Sequence, residues 1–283
     1  MTARVLLTGA TGFVGRQVLR ALEQYGARVT AVVRAEREED LAPSPAIERI
    51  IATPALFEEP ADWWAQACDG VDCVVHVAWY AEPGKYLMSP QNLGCLAGTL
   101  ALAQGAIDVG VSRMVGVGTC FEYNLTAADL SVSTPLNPTT PYAAAKAAPY
   151  LALSRILPQQ GVSFAWCRLF YLYGEGEDGR RLVPYVRAQL AKGEAAELSH
   201  GLQVRDFLDV EEAGRRIAAA ALSSLEGAIN ICSGAPITVR ELVEEIAGPF
   251  GRNDLLRFGD RPENVLDPPR VVGVPTPIPY PQT

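Results

Sequence analysis

Thr8-Gly9-Ala10-Thr11-Gly12-Phe13-Val14-Gly15 stands directly after the mostly apolar run Arg4–Thr8 and opens a stretch of helical periodicity. Glycines at this spacing permit a tight strand-to-helix turn and let the backbone approach a pyrophosphate, whose charge is favoured at a helix N-terminus. A glycine-rich turn alone is weak, since such turns also occur without nucleotides. The strand before it, the helix after it and the further strand beyond make it a dinucleotide site. Gly9, Thr11, Gly12, Phe13, Val14 and Gly15 are the residues expected to line it.

Outward from this motif, short apolar runs at 28–33, 73–78, Arg113–Thr119 and 163–170 alternate with amphipathic stretches at 13–25, 61–68, 90–109 and 142–160. Near-continuous apolar strands between helices predict an α/β fold with a doubly wound parallel sheet covered on both faces. After residue 170 the rhythm changes. A Gly- and Glu-rich loop at 174–179 leads to a helix near 181–192, then a segment at 204–210, then a helix at 211–221 and a strand at 228–232. The expected division is a cofactor domain of residues 1–170 and 208–235, with a smaller, discontinuous lobe of residues 171–207 and 236–283. Seven prolines in the last 23 residues predict an irregular surface segment there.

The 283 residues are 49% hydrophobic and 20% charged, the balance of a globular chain. A net charge of -8 argues against a broad nucleic-acid or anionic-membrane face. Six cysteines without a C-x-x-C pair, no signal-peptide pattern and no long apolar run predict a cytoplasmic protein with reduced thiols. His76 and His200 have no metal-ligand spacing around them, so no metal is expected, and His76 reads as a satisfied core histidine.

The second apolar strand ends Val32-Val33-Arg34, where an NAD-preferring site places Asp or Glu on the ribose hydroxyls. Arg34 can instead pair bidentately with a 2′-phosphate, and Arg16 is a second candidate for that group. NADP(H) is therefore favoured, with NAD(H) as the alternative.

Pro141-Tyr142-Ala143-Ala144-Ala145-Lys146 sets Tyr142 and Lys146 four apart, on one face of a helix. A neighbouring ammonium and an oxidised nicotinamide both favour a phenolate, which would bring Tyr142 toward a working range for acid–base chemistry. Thr119 ends a strand from which its hydroxyl could reach the same reacting oxygen.

With Arg168–Gly174, Arg205-Asp206-Phe207 and Asn230–Gly234 added in order, the chain resembles the extended short-chain dehydrogenase/reductase family from about residue 4 to 275. The nearest flavour is its nucleotide-sugar epimerases, dehydratases and reductases. The resemblance implies a Rossmann-like fold with a smaller substrate-binding lobe, and Tyr142 as the acid–base residue at a sugar oxygen. It implies Lys146 on the nicotinamide ribose and Thr119 on the same sugar oxygen. It also places Ala78 beside the nicotinamide, and Arg205 and Arg261 on the substrate pyrophosphate. Family habit implies a homodimer through the helices at 90–109 and 142–160.

Departures from the family narrow the reaction. Its 4,6-dehydratases carry Asp and Glu after the threonine, where this chain has Cys120 and Phe121, so dehydration is not expected. Reductases that also epimerise carry a cysteine two residues after the threonine; Cys120 is one residue early and reads as a buried small residue. Tyr171 replaces an Asn common among sugar-nucleotide members, a phenol in a substrate position. Pro149 is expected to kink or shorten the helix of Tyr142. Trp79, Tyr80 and Tyr86 follow a strand at the sheet's carboxyl edge, where they could stack on a sugar or base, or close the core. The expected activity is NADPH-dependent reduction of a nucleotide-linked 4-keto-6-deoxy sugar. The alternatives are an NAD-dependent nucleotide-sugar 4-epimerase and a non-catalytic NADP-binding regulator, the latter disfavoured by the intact Thr119–Tyr142–Lys146 set.

Overall fold

A computed structural model of the chain describes residues 2–263 and 267–281. In chain order its elements are β1 (Arg4–Thr8), α1 (Phe13–Gln24), β2 (Arg28–Arg34), β3 (Ile47–Thr53), α2 (Ala61–Ala67), β4 (Cys73–His76), α3 (Gln91–Asp108), β5 (Arg113–Thr119), α4 (Pro141–Ile156) and β6 (Ser163–Leu169). There follow β7 (Tyr171–Tyr173), α5 (Leu182–Lys192), β8 (Ala196–Leu198), β9 (Val204–Asp209), α6 (Val210–Ala221), β10 (Gly227–Ile231), β11 (Pro236–Thr238), α7 (Val239–Ala247), β12 (Leu256–Phe258) and β13 (Arg270–Val271).

Seven strands form one parallel sheet in the order β10-β6-β5-β4-β1-β2-β3. Central strands are apolar on both faces: every residue of β5 is buried, and Val5, Leu6 and Leu7 of β1 are at most 1% exposed. One face is covered by α1 and α6, whose Val18, Leu22, Ala213 and Ile217 join Val29 and Val75 in a single cluster. The other face is covered by α2, α3 and α4, with Trp64, Leu102 and Leu153 packed on Val74, Met114 and Trp166. Burial of this kind, at about 25 cal/mol per Å² of apolar surface, is the main stabilising term. The order reverses between β1 and β4. Such a switch point leaves a crevice at the strands' carboxyl ends.

Beside the sheet, β9 pairs with β11, β13 and β7, and β8 pairs with β12. Here Val186 and Leu190 of α5 pack on Val239 and Val243 of α7. Three expectations need correction. Helix α4 is not shortened at Pro149, which lies buried in a helix running on to Ile156 and a 3-10 turn at Leu157–Gln160. The proline-rich tail is not simply a surface segment: Val271 and Val272 are buried, Leu130 and Val272 are joined by a backbone hydrogen bond, and β13 extends a sheet. Of that tail, residues 264–266 and 282–283 lie outside the described residues. Finally, β3, α7 and the short strands β7, β8, β11 and β12 were not anticipated. Strand β3 sits at the sheet edge with Glu48, Arg49 and Ile50 exposed, so it lacks the apolar run of its buried neighbours.

Candidate active site

The crevice at the carboxyl ends of β1, β2, β4, β5 and β6 is a cleft of about 1640 Å³. That exceeds the usual 300–1,000 Å³ of a single-ligand pocket, leaving room for two ligands side by side. Gly9, Thr11, Gly12, Phe13, Val14 and Gly15 all line it. The glycines are required by sterics. Gly9 has φ +79°, and a Cβ there would lie 2.8 Å from the Ala78 nitrogen, while a Cβ at Gly15 would come within 2.0 Å of the Gly9 carbonyl oxygen. No side chain caps α1, so its first N–H groups are left for a ligand. Ala78 lines the same wall, its N–H donating to Thr8 Oγ1 at 3.2 Å.

At the end of β2, Arg34 and Arg37 line the cleft with Arg16. Arg34 is not free: its Nη1 lies 3.1 Å from Glu36 Oε1, and Arg37 is paired with Asp40. Arg37 was missed by reading the strand tip alone. The Nε of Arg16 is buried without a hydrogen-bond partner among the described residues. An orphaned donor beside a glycine cradle fits the phosphates of a dinucleotide.

Deeper in, β5 delivers Thr119 and α4 delivers Tyr142 and Lys146 to the same cleft. Thr140 caps α4 through Ala143 N–H at 3.2 Å, with Pro141 preset for the first turn. Burial is the main cause pushing the Tyr142 phenol well above its ordinary pKa, the adjacent Tyr86 adds to it, and a hydrogen bond from Thr119 opposes it. This raised value is that of the cofactor-free protein, where desolvation outweighs the Thr119 hydrogen bond; the expected lowering counts the charge of an oxidised nicotinamide as well as Lys146. The same desolvation pulls Lys146 down to about 7, opposed by Glu122. Its Nζ donates to the Val117 carbonyl at 2.6 Å and lies 3.9 Å from the centre of the Trp79 ring. Trp79 lines the cleft with Lys146 over its ring, and its Nε1 donates to Asn92 Oδ1 at 2.9 Å. Tyr86, by contrast, stands edge-on to Tyr142 with ring centres 4.7 Å apart.

Cys120 is buried, its thiol pushed up to about 12 by desolvation, which makes it a poor nucleophile or acid. It opens a 3-10 turn rather than continuing the strand. His76 donates from Nε2 to Thr99 Oγ1 at 2.9 Å and accepts at Nδ1 from Thr8 Oγ1 at 2.8 Å, a tautomer inferred because Thr99 donates onward to Cys95 O. Burial holds its pKa down to about 3, so it is a neutral core residue. Beneath Thr119 lies a charged residue not foreseen from sequence. Glu122 is fully buried, accepting from Thr119 N–H at 2.8 Å, Trp166 Nε1 at 2.9 Å and Arg168 Nε at 2.7 Å.

The far end of the cleft holds Tyr171, Arg205 and Arg261. The Tyr171 hydroxyl is buried without a partner among the described residues, and desolvation raises its pKa well above the usual range. Arg205 is 1% exposed, with Nη2 2.6 Å from Asp267 Oδ1, Nη1 donating to the Val204 carbonyl at 2.8 Å and its guanidinium over the Tyr171 ring. Arg261 is exposed and rests on Tyr185. Asp267, also in the cleft wall, was not foreseen.

A model of the NAD dependent epimerase/dehydratase family matches residues 5–232. A dTDP-6-deoxy-L-talose 4-dehydrogenase (NAD(+)) of Aggregatibacter actinomycetemcomitans is 25% identical, over 85% of this chain and 88% of its own length. A dTDP-glucose 4,6-dehydratase of Streptomyces griseus is 30% identical, over 86% of this chain and 77% of its own. Among solved structures, a UDP-N-acetylglucosamine 4-epimerase from Methanobrevibacter ruminantium M1, in complex with UDP-N-acetylmuramic acid, superposes with a TM-score of 0.85 at 22% identity, covering 98% of this chain and 91% of that one. Three different reactions stand behind those three names.

Proposed function

The chain belongs to the NAD-dependent epimerase/dehydratase family, and from that premise we propose that it is an NADPH-dependent reductase of a nucleotide-linked 4-keto-6-deoxy sugar. The observation that carries this reading is the composition of the reacting corner. Thr119, Tyr142 and Lys146 meet there, while Cys120 is buried with a raised thiol pKa and Phe121 cannot exchange a proton. That set supports hydride transfer with one proton donor, and it lacks the second acid–base pair that expulsion of a hydroxyl needs. The named activity of the talose 4-dehydrogenase relative, oxidoreduction at the 4-position of a dTDP-linked 6-deoxy sugar, is in keeping with it.

The reduced nicotinamide, when bound, supplies the hydride. Tyr142, held protonated by burial, gives its proton to the carbonyl oxygen as the carbon gains hydride, so the ketone becomes an alcohol, and the phenol recovers its proton from solvent. Thr119 orients the phenol and the sugar oxygen, and Lys146 holds the cofactor ribose. Arg205, Arg261 and the unpartnered Tyr171 hydroxyl take the nucleotide end of the substrate.

One observation favours the NAD-dependent 4-epimerase instead: Arg34 is already matched by Glu36, and Arg37 by Asp40. A titration of cofactor-free protein with NADPH and NADH separates the two, followed by turnover on nucleotide-linked keto sugars. NADPH selectivity with reversible binding is expected, and Arg34→Asp is expected to swing the ratio of affinities toward NADH by about tenfold or more. Retained NAD, or a ratio unchanged by Arg34→Asp, would promote the epimerase. In the same titrations Arg205→Ala is expected to weaken a nucleoside diphosphate more than the cofactor; equal losses would remove Arg205 from the substrate clamp.

We also place a second copy of the chain on the outer faces of α3 and α4, where Leu93 is 73% exposed and Leu100, Leu151 and Ile156 are exposed with it. Large apolar side chains left exposed on neighbouring helices suit an association site. Light scattering at micromolar concentration should give twice the 30.4 kDa chain mass; a monomer mass would dismiss the dimer.

A further inference from the structure

The loop between β7 and α5 carries a carboxyl group that the proposed chemistry leaves unused. Glu177 lines the cleft, and its Oε2 is buried with no hydrogen-bond partner among the described residues. A desolvated acceptor left unmatched is costly, so such a group in a cleft wall is suited to a ligand that supplies the partner.

Neighbouring residues say which ligand. The loop lies against α1, the helix opened by the glycine motif. Arg20 of α1 holds Glu175 through two hydrogen bonds, 2.9 and 3.2 Å long. A Cβ on Gly176 would stand 3.8 Å from Arg16 Nη1. Arg16 itself has a buried, unpartnered Nε and lines the same cleft. On one side of the loop, then, is an orphaned donor from the phosphate-binding helix, and on the loop is an orphaned carboxyl oxygen. A phosphorylated ribose satisfies both, since phosphate oxygens accept from a guanidinium while a ribose hydroxyl donates to a carboxyl or a carboxylic acid donates to a phosphate.

We propose that Glu177 is a cofactor-binding residue which, with Arg16, contacts the phosphate–ribose part of the dinucleotide and sets its affinity through its own charge. This rests on the reading of the cleft as a nicotinamide-dinucleotide site. The neutral acid is the binding form, because an ionised carboxylate repels phosphate. The charged groups around Glu177 are Arg187 from α5, Arg181 from the residue just before that helix and Asp178 from its own loop, while Arg16 of α1 stands by the neighbouring Gly176 and Glu175. Burial outweighs the arginines and raises the Glu177 carboxyl to about 7, with Asp178 adding to it. Affinity is therefore full below that pH and is lost as pH rises through it.

Isothermal titration of cofactor-free protein with NADP+ from pH 6.0 to 8.5 tests this without any turnover. The wild type is expected to lose affinity roughly tenfold between pH 6.5 and 8.5, as the neutral fraction falls. Glu177→Gln, neutral at every pH, is expected to bind like the acid form and to stay flat within about twofold. Glu177→Leu, which cannot hydrogen-bond, is expected to bind about fivefold or more weakly across the range. The rival source of a slope is Lys146, whose amine burial also pulls down to about 7. If the slope survives in Glu177→Gln it belongs to Lys146, and the proposal is overturned. Leucine binding as well as the wild type, or a flat wild-type profile, overturns it too. Binding of no dinucleotide by the wild type at any pH is a distinct failure, that of the cleft's reading, and it takes the proposal with it.

Discussion

Tyr142→Phe is expected to lower turnover by about a hundredfold or more while cofactor affinity changes by less than about twofold. The substitution removes one hydroxyl from a half-buried ring that packs edge-on against Tyr86, so little of the surrounding packing is disturbed. What it removes is the proposed proton donor, in a corner where the neighbours cannot replace it. Thr119 is a hydroxyl of ordinary weak acidity, the Cys120 thiol is pushed up to about 12, and the Lys146 ammonium is committed to the Val117 carbonyl. Burial keeps the phenol protonated, which suits donation to a ketone. In the reverse, oxidising direction the phenol must first ionise, so that rate is expected to rise with pH while reduction stays comparatively flat near neutrality. Steady-state kinetics on a nucleotide-linked keto sugar, paired with cofactor titration, decide it. A variant with near-normal turnover would exclude Tyr142 as the acid, whatever the substrate.

Much of this arrangement was legible in the residues because it is governed by local rules. The Gly9–Gly15 turn is dictated by backbone sterics, and the buried strands announce themselves as apolar runs. The spacing of Tyr142 and Lys146 puts both on one helical face whatever their surroundings. What escaped depends on partners distant in sequence. Strand β3 carries Glu48 and Arg49 because one of its edges meets solvent, so its pattern resembles a loop. Helix α7 does carry a local signal, the capping box formed by Thr238 and Glu241. The expected lowering of Tyr142 counted two charges, Lys146 and an oxidised nicotinamide, but not the desolvation by the whole cleft that raises it in the cofactor-free protein. Arg34 and Arg205 were placed in the cleft wall, but Glu36 and Asp267, the carboxylates that engage them, were not. The first pairing is local, two residues apart; the second arises only once the chain is folded, for it joins segments some sixty residues apart.

The buried pair Glu122–Arg168 is the clearest case of that kind, and it carries the second large effect. Glu122→Leu is expected to destabilise the protein by about 3–5 kcal/mol, because it strands a buried guanidinium without its counter-charge. Arg168 is 1% exposed and its Nε bond to Glu122 is 2.7 Å; its Nη1 donates to Tyr123 OH, which donates in turn to Asn230 Oδ1 at 2.7 Å. Removing the carboxylate also frees the Thr119 and Trp166 N–H groups that it accepts from. For a chain of this size, about 2–4 °C of melting temperature per kcal/mol translates the loss into a fall on the order of 10 °C. Replacing both members, as Glu122→Gln with Arg168→Met, is expected to recover a large part of it, since neither charge is then buried and the amide oxygen still accepts from Thr119 N–H. Urea unfolding of the wild type, the single variant and the double variant measures the pair by difference. A single variant within about 1 kcal/mol of the wild type would mean that water or a neighbouring group satisfies Arg168 as well as Glu122 does. If instead the double variant is no better than the single, the unpaired charge is not the main cost, and the loss lies in what Arg168 itself supplies, its bond to Tyr123 OH and its place over the Tyr123 and Tyr150 rings.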